Sequence, residues 1–218
     1  MRNSSSMKIY VVDDHPVVRK GLVDFLKLQG IFEICGESES AEQALLEIPT
    51  LEPDLVILDL SLKEMGGLEL LSLLRAENTE LKVLILSMHQ EDRYAARAIR
   101  LGACGYITKD EAIEKILEAI KAIQKGKIYL RENMINSVIQ TLFHTRNEPG
   151  EEDVQSLSDR ELQVFECLGK GMGTKAIADK LGLSIKTVET YRARIKDKLS
   201  LKDGSQLLRR AILWAEQH

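Results

Sequence analysis

Four apolar stretches that each end in polar residues decide the fold of the first half of this chain: MKIYVVDD (residues 7–14), LVILD (55–59), VLILS (83–87) and GYITK (105–109). Short apolar runs separated by helical patterns are typical of parallel strands that are buried on both faces. Ligands of such sheets bind beyond the carboxyl ends of the strands. The polar residues at the ends of these runs are therefore expected to share one pocket.

The spacing of apolar residues predicts five strand–helix units in residues 7–125, the pattern of a doubly wound α/β domain with right-handed crossovers. The predicted strands are Ile9–Val12, Phe32–Gly36, Leu55–Leu58, Val83–Leu86 and Gly105–Thr108. The predicted helices are Val17–Leu28, Ala41–Ile48 with Ser40 as its cap, Leu68–Arg75, Asp92–Leu101 and Ala112–Gln124.

The rest of the chain is predicted to be helical. A helix at residues 133–144 and a Pro/Gly-containing charged stretch at 145–155 form the predicted linker, residues 126–155. Residues 156–218 form a second, smaller all-α domain. Ser158 begins a capping box with Glu161, Thr174 is expected to cap a short helix, and Ser184 is expected to cap a longer helix that reaches Leu199. A last helix is predicted at residues 205–214.

The composition is that of a soluble globular protein, with 44% apolar and 29% charged residues. No apolar run approaches the roughly 18 residues that a membrane span needs, and MRNSSSM at the start lacks the apolar segment of a signal peptide. The three cysteines (Cys35, Cys104 and Cys167) lie far apart and outside zinc-binding spacing. We therefore expect a cytoplasmic protein with reduced thiols and no membrane partner.

The net charge of −4 is distributed unevenly. Residues 1–150 carry 18 basic and 23 acidic side chains, a net of −5, whereas residues 156–218 carry 12 and 8, a net of +4. Between residues 184 and 210, eight basic side chains face three acidic ones. This asymmetry favours a second domain that faces a polyanion, although a solvated helix face would show the same charges.

The strand-end residues suit phosphoryl chemistry. Crowded carboxylates raise one another's pKa, and Mg²⁺ relieves that repulsion because it binds carboxylate and phosphoryl oxygens. Asp59 is the candidate nucleophile, which would form an aspartyl-phosphate. Lys109 would offer a cation and Ser87 a hydroxyl to the phosphoryl oxygens. Read alone, the Asp13–Asp14 pair could equally be a helix cap.

The order of these residues along the chain resembles a response-regulator receiver domain, over roughly residues 7–125. The resemblance implies that Asp59 accepts a phosphoryl group from a sensor histidine kinase. It also implies that Asp14, Asp59 and the Ser61 carbonyl hold Mg²⁺, with Asp13 acting through water. Ser87 and Tyr106 would form the switch pair, Tyr106 turning inward when the hydroxyl binds the phosphoryl group; the alternative for Tyr106 is a half-buried strand aromatic.

The chain departs from the receiver pattern in three places. Leu62 and Lys63 stand where a Met-Pro pair is usual, which removes a backbone constraint and adds a cation near the pocket. Asp110 follows Lys109 in place of the frequent proline, and Ser87 replaces the commoner threonine. We expect the switch to survive all three changes.

The stretch from Leu157 to Leu201 resembles the LuxR-type helix-turn-helix, through LSDRE at its start, IA..L..S..TV at its centre and KL at its end. Together with the receiver, this resembles the NarL/FixJ family of response regulators. The resemblance places Glu189, Thr190 and Ala193 at bases. It favours phosphate contacts for Lys186, Thr187, Arg192, Arg194 and Lys198.

Two assignments in this domain remain open in the sequence. Glu189 would accept a hydrogen bond from a cytosine amino group, or it pairs with a neighbouring basic residue. The last helix has more apolar surface than a three-helix core needs, so Leu208 and Ile212 would form a dimer contact, or the helix packs on its own domain. Two copies on one duplex would favour an inverted-repeat operator.

The sequence thus predicts a DNA-binding transcription regulator that forms a homodimer when Asp59 is phosphorylated, and that has no turnover substrate. One rival is a haloacid-dehalogenase-like phosphatase, but such enzymes need an aspartate two residues after the nucleophile, where this chain has Ser61. The other rival is a phosphate-independent DNA binder with a degenerate receiver, supported by Leu62 and Lys63.

Overall fold

The computed structural model describes residues 6–62, 65–88, 92–143, 154 and 157–217, which fall in two compact units, residues 1–146 and 147–218. The strands of the first unit are β1 (Met7–Val12), β2 (Phe32–Ser38), β3 (Leu55–Asp59), β4 (Lys82–Ser87) and β5 (Gly105–Thr108). Its helices are α1 (Pro16–Leu28), α2 (Ala41–Leu51), α3 (Gly67–Glu77), α4 (Asp92–Arg100), α5 (Ala112–Gln124) and α6 (Glu132–Phe143). The helices of the second unit are α7 (Asp159–Gly169), α8 (Thr174–Leu181), α9 (Ile185–Lys198) and α10 (Gly204–Gln217).

The five strands form one parallel sheet in the order β2-β1-β3-β4-β5, which confirms the predicted doubly wound architecture. The register aligns Val12 with Leu58 and Asp59 with Leu86. Ser87 lies opposite Thr108. The strands therefore end at one edge of the sheet, and the polar residues at their ends meet there.

Strands β1, β3, β4 and β5 bury both of their faces, since successive side chains point to opposite sides of the sheet and both sides are covered. The edge strand β2 is buried only at its two ends. One face packs under α1 and α5, with Ile9, Ile57 and Leu86 among its fully or nearly fully buried strand residues. The alternate residues, such as Tyr10 and Val56, are also completely buried. Two-sided burial explains why these four strands are nearly continuous apolar runs in the sequence.

The chain after α5 completes the sheet at its β5 edge. Tyr106 N donates to Tyr129 O at 2.9 Å, and Tyr129 N donates to Cys104 O at 3.0 Å. The next helix, α6, packs on α4 and buries Met134 and Val138. Pairing from Tyr129 satisfies backbone groups that an edge strand would otherwise leave to water or to another chain. Periodicity did not predict this contact.

In the second unit, the predicted capping box is confirmed. Ser158 N donates to Glu161 Oε2 at 2.7 Å, and Glu161 N donates to Ser158 Oγ at 3.4 Å. The Ser184 side chain likewise accepts from Thr187 N at 3.0 Å. The cap assigned to Thr174 is wrong: Gly173 is the N-cap, with extended backbone, and Thr174 is the first helical residue. Its hydroxyl is therefore not used as a cap and is available to another partner.

Some expectations lie outside the described residues. These are the effect of Lys63 on its loop and the structure of the predicted linker between residues 144 and 153. Within the described part of the chain, no helix combines the length and the apolar character that crossing a membrane requires.

The α6 contact gives a matched pair of substitutions. Val138 is 1% exposed whereas Ile139, the next residue on the same helix, is 45% exposed. Val138→Ala should lower the free energy of unfolding of the first unit by about 1–3 kcal/mol, because it empties a packed site. Ile139→Ala should change it by less than about 0.5 kcal/mol. Differential scanning calorimetry of the full chain measures both; equal shifts would mean that α6 is not held on α4.

Candidate functional site

Three loops at the carboxyl edge of the sheet form an acidic pocket. Asp13 and Asp14 come directly after β1, Asp59 ends β3, and Lys109 comes directly after β5. Asp13 and Asp59 are each 1% exposed and Asp14 is 8% exposed. The structure therefore brings together four of the five strand-end residues that were predicted to converge, Asp13, Asp14, Asp59 and Lys109, and places them largely out of water.

Lys109 lies between two of the carboxylates. Its Nζ donates to Asp59 Oδ2 at 2.7 Å and is also 2.7 Å from Asp13 Oδ2. Its side chain is only 4% exposed. Buried charges are tolerated when partners of opposite sign lie close to them, so the ammonium offsets part of the cost of burying these two carboxylates.

Both oxygens of Asp59 have defined contacts. Oδ1 accepts from Ser61 N at 3.0 Å while Oδ2 accepts from Lys109. Burial raises the pKa of Asp59, Lys109 lowers it, and the Asp13 carboxylate raises it further, with the net effect upward. The Asp59 carboxylate is thus held in one buried orientation by two donors, Ser61 N and Lys109 Nζ.

His15 belongs to the same cluster, although the sequence analysis did not single it out. Its Nδ1 is 2.8 Å from Asp14 Oδ1 and 3.3 Å from Asp13 Oδ1. Its backbone N donates to Asp13 Oδ1 at 2.8 Å. The side chain is 55% exposed, so His15 forms the rim of the pocket. Its position directly after the two aspartates was the available signal.

The pocket fits a hard divalent cation. Asp13, Asp14, His15 and Asp59 each offer a ligand atom, and these atoms all lie within 4.8 Å of one another. Among the described residues, no group donates a hydrogen bond to the buried Asp13 Oδ2, whose contact with Lys109 is an ion pair. Carboxylate oxygens are the ligands that Mg²⁺ prefers. The assignment of Asp13, Asp14, Asp59 and Ser61 to Mg²⁺ stays a prediction.

The predicted switch residues lie beside this pocket. Ser87 and Tyr106 are both completely buried, so the Tyr106 ring points inward and is not half-buried. Lys109 N donates to Ser87 O at 2.7 Å, which ties the end of β4 to the loop that carries Lys109. Leu62, at the position usual for methionine, is 1% exposed and packs as an apolar residue would.

The residues predicted to contact DNA lie along α9. Six of them are exposed and two, Thr187 and Arg192, are half-buried. The buried stripe of the helix consists of Val188, Tyr191 and Ile195. Because the stripe holds α9 to its own unit, the opposite face is presented to solvent, as recognition of a major groove requires.

Some of these predicted contact residues are paired within the unit. Glu189 accepts from Arg192 and from Thr174, so the alternative that Glu189 pairs with a neighbouring cation is realised in this structure. Lys198 Nζ donates to Glu161 Oε2 at 2.7 Å. Because Glu161 is 3% exposed, this ion pair joins α9 to α7. A DNA contact by Lys198 stays a prediction.

The last helix, α10, has two apolar faces. Leu207, Ala211 and Trp214 are buried, and the Trp214 ring lies 5.8 Å from that of Phe165. A second face remains open, with Leu208 40% and Ile212 37% exposed. The helix therefore both packs on its own unit and keeps the face that was predicted as a dimer contact.

Comparison with known protein families assigns both units. The response regulator receiver domain matches residues 9–121, and the luxR family of bacterial regulatory proteins matches residues 155–211. The chain therefore belongs to the two-component response regulators of the NarL/FixJ family, with a receiver domain followed by a LuxR-type DNA-binding domain.

Particular relatives cover nearly the whole chain. The oxygen regulatory proteins NreC of Staphylococcus haemolyticus (strain JCSC1435) and of Staphylococcus aureus (strain MRSA252) are each 33% identical over 210 residues, which is 94% of this chain and 97% of the relative.

Solved structures show the same fold. A LuxR-family response regulator from Aurantimonas sp. SI85-9A1 is 30% identical, with a TM-score of 0.59 over 63% of this chain and 98% of its own. RcsB from Salmonella enterica serovar Typhimurium, bound to a promoter in the presence of the phosphomimetic BeF3-, is 24% identical, with a TM-score of 0.58 over 95% of this chain and 98% of its own.

If the pocket binds Mg²⁺, the free energy of unfolding of the first unit should depend on the Mg²⁺ concentration. Mg²⁺ at ten to a hundred times its dissociation constant should raise the free energy of unfolding of the first unit by about 1–3 kcal/mol, because it binds the folded state. Calorimetry with Mg²⁺ and with a chelator measures this. Asp14→Asn should abolish the shift, whereas Asp24→Asn, an exposed aspartate of α1, should keep it. A shift that survives Asp14→Asn would place the ion elsewhere.

Proposed function

We propose that this response regulator is switched by transfer of a phosphoryl group from a sensor histidine kinase to Asp59, and that the modified protein binds DNA as a homodimer in the cytoplasm. The observation that carries the proposal is the buried contact of Lys109 with Asp59 and Asp13. It orients a carboxylate nucleophile and supplies positive charge where a phosphoryl group would be attached.

The proposed transfer uses Asp59 as the nucleophile and Lys109 as the neighbouring cation. An oxygen of Asp59 attacks the phosphorus of a phosphohistidine, an O–P bond forms as the N–P bond breaks, and the imidazole leaves with the bonding electrons. Lys109 neutralises charge on the phosphoryl oxygens. Mg²⁺, when bound by Asp13, Asp14, Asp59 and the Ser61 carbonyl, would add positive charge there. Positioning and charge neutralisation are the main sources of rate in phosphoryl transfer.

The switch is proposed to run from the pocket along β5. The Ser87 hydroxyl would donate to a phosphoryl oxygen, and the side chain of Tyr106, which is completely buried, would respond to that contact. Tyr106 is hydrogen-bonded through its main chain to Tyr129, which leads into α6. A change at Tyr106 would therefore reach α6 directly and shift the population of the DNA-binding form.

DNA binding is proposed for the outer face of α9, whose candidates for base contact are Glu189, Thr190 and Ala193. Lys186 and Arg194 are the clearest candidates for phosphate contact, because both are exposed and, within the described residues, neither forms an ion pair. The promoter complex of RcsB with a phosphomimetic supports both halves of the proposal by analogy of fold. An inverted-repeat operator would match a two-fold dimer.

The dimer contact is proposed for the outer face of α10. Leu208, Ile212 and Leu213 line an open groove of about 310 Å³ together with Arg209. All three apolar side chains are at least 37% exposed. A second copy of the same helix would remove this apolar surface from water.

Phosphorylation of Asp59 is tested by intact mass after treatment with acetyl phosphate and Mg²⁺. The wild type and Asp24→Asn should each gain one phosphoryl group, and Asp59→Asn should gain none. Sedimentation velocity and fluorescence anisotropy on the same samples should show dimers and at least tenfold tighter DNA binding only where mass was added. Unchanged DNA affinity after verified phosphorylation would favour the phosphate-independent regulator instead.

The phosphate contacts are tested by salt dependence. Binding to duplex DNA should weaken steeply with salt, with a slope near −0.9 per neutralised phosphate on a log–log plot. Arg194→Ala should reduce that slope by about 0.9 per subunit and weaken binding to all sequences alike. Lys27→Ala removes an exposed cation from α1 and should leave the slope unchanged. A wild-type slope near zero would contradict DNA binding by this face.

A further inference from the structure

Three side chains from two helices form a closed hydrogen-bonded triangle at the edge of the α9 surface. Arg192 Nη1 donates to Thr174 Oγ1 at 2.6 Å and to Glu189 Oε1 at 3.2 Å. Thr174 Oγ1 donates in turn to Glu189 Oε1 at 2.8 Å. One carboxylate oxygen therefore accepts from both a guanidinium and a hydroxyl, across the turn that joins α8 to α9.

These two donors are the kind that bind DNA phosphates. Guanidinium and threonine hydroxyl groups are common partners of phosphate oxygens, and a guanidinium binds carboxylate and phosphate with the same planar geometry. In the structure, Glu189 Oε1 accepts from both donors, which is a contact that a phosphate oxygen could also make. The Glu189 carboxylate therefore uses the same two donors that a DNA phosphate would use.

The position of each residue on α9 makes an exchange feasible. Arg192 lies next to the buried stripe, with a side chain 26% exposed, whereas Glu189 lies nearer the outer face, with a side chain 54% exposed. Lys186 and Arg194 form no ion pair among the described residues, whereas Glu189 neutralises Arg192 and Glu161 neutralises Lys198. Of these two pairs, only that of Arg192 has its acidic partner on α9 itself. A solvent-exposed ion pair of this kind adds little to stability, so little is lost when it is replaced.

We propose that Glu189, Arg192 and Thr174 form a specificity device in which the Glu189 carboxylate is exchanged for a DNA phosphate. When a base-edge amino group, such as that of cytosine, takes the place of Arg192 as donor to Glu189, Arg192 and Thr174 bind the adjacent phosphate. On a sequence without that amino group, Glu189 stays on Arg192 and one phosphate contact is not made. The inference deepens the proposed DNA-binding function and rests on it.

The exchange makes base recognition and backbone binding depend on each other. On a cognate site, Glu189 makes a base contact and Arg192 makes a phosphate contact. On other DNA sequences neither of these two contacts forms. Thr174 has two roles in this exchange: its hydroxyl accepts from Arg192 and so orients the guanidinium, and it donates to whichever anion is bound. Specificity of this kind comes partly from weakening the wrong complexes.

The test measures anisotropy of the full chain on two duplexes of equal length across 50–200 mM salt. One is an operator selected from a random-sequence pool and the other has mixed sequence. Glu189→Gln should bind the mixed duplex more tightly, steepen its salt slope by about 0.9 per subunit, and lower the ratio of operator to mixed affinity about tenfold. Thr174→Val should weaken operator binding about tenfold and leave mixed binding within twofold.

Two controls separate this device from simpler effects. Asp197→Asn removes the same charge from an exposed position of α9 and should shift both duplexes equally without changing the ratio. Thr174→Ser keeps the hydroxyl and should behave as wild type, and unchanged melting temperatures confirm folding. Equal effects of Glu189→Gln and Asp197→Asn, or a Thr174→Val protein with an unchanged ratio, would overturn the inference. A wild type that binds neither duplex would overturn the DNA-binding function itself.

Discussion

A lysine ammonium buried between two carboxylates is the contact around which the first unit is organised. Lys109 comes from the end of β5, Asp13 from the end of β1 and Asp59 from β3. Charges buried this deeply are stable only if opposite charges lie close to them, so the sheet must hold three strand ends in register. The strand register that builds the sheet is therefore the same register that brings the charges of the pocket together.

That requirement explains why Gly67 stands at the start of α3. A Cβ at this position would lie 2.6 Å from the Cα of Leu60, too close for any real contact. The helix can therefore begin directly against the backbone just beyond Asp59. The close approach fixes the chain on the far side of the nucleophile, while Ser61 N fixes one of its oxygens.

Much of this could be predicted from the sequence, because each buried strand is a continuous apolar run and each pocket residue ends one. The pairing of Tyr129 with β5 was not predictable, since a contact by a single residue has no period. His15 was missed because its role depends on how its loop turns after Asp14. The cap assigned to Thr174 failed because residue type favoured threonine while the backbone placed Gly173 there.

The second unit shows a different limit. The excess of basic residues on α9 was readable from the sequence, but the pairing of those residues was not. Lys198 pairs with Glu161, which is 37 residues away, and Arg192 contacts Thr174 on another helix. A count of charges therefore overstates the positive surface that α9 presents to a polyanion.

The cover of the β5 edge bears on how such proteins evolve by recombination. A crossover at the end of α5 would leave the β5 edge without its pairing to Tyr129 and the outer side of α4 uncovered. Unpaired strand edges invite association with other chains. A crossover placed after α6 moves Tyr129, Met134 and Val138 with the sheet they cover. A receiver unit moved as one piece would therefore have to extend to the end of α6 to keep its β5 edge and α4 covered.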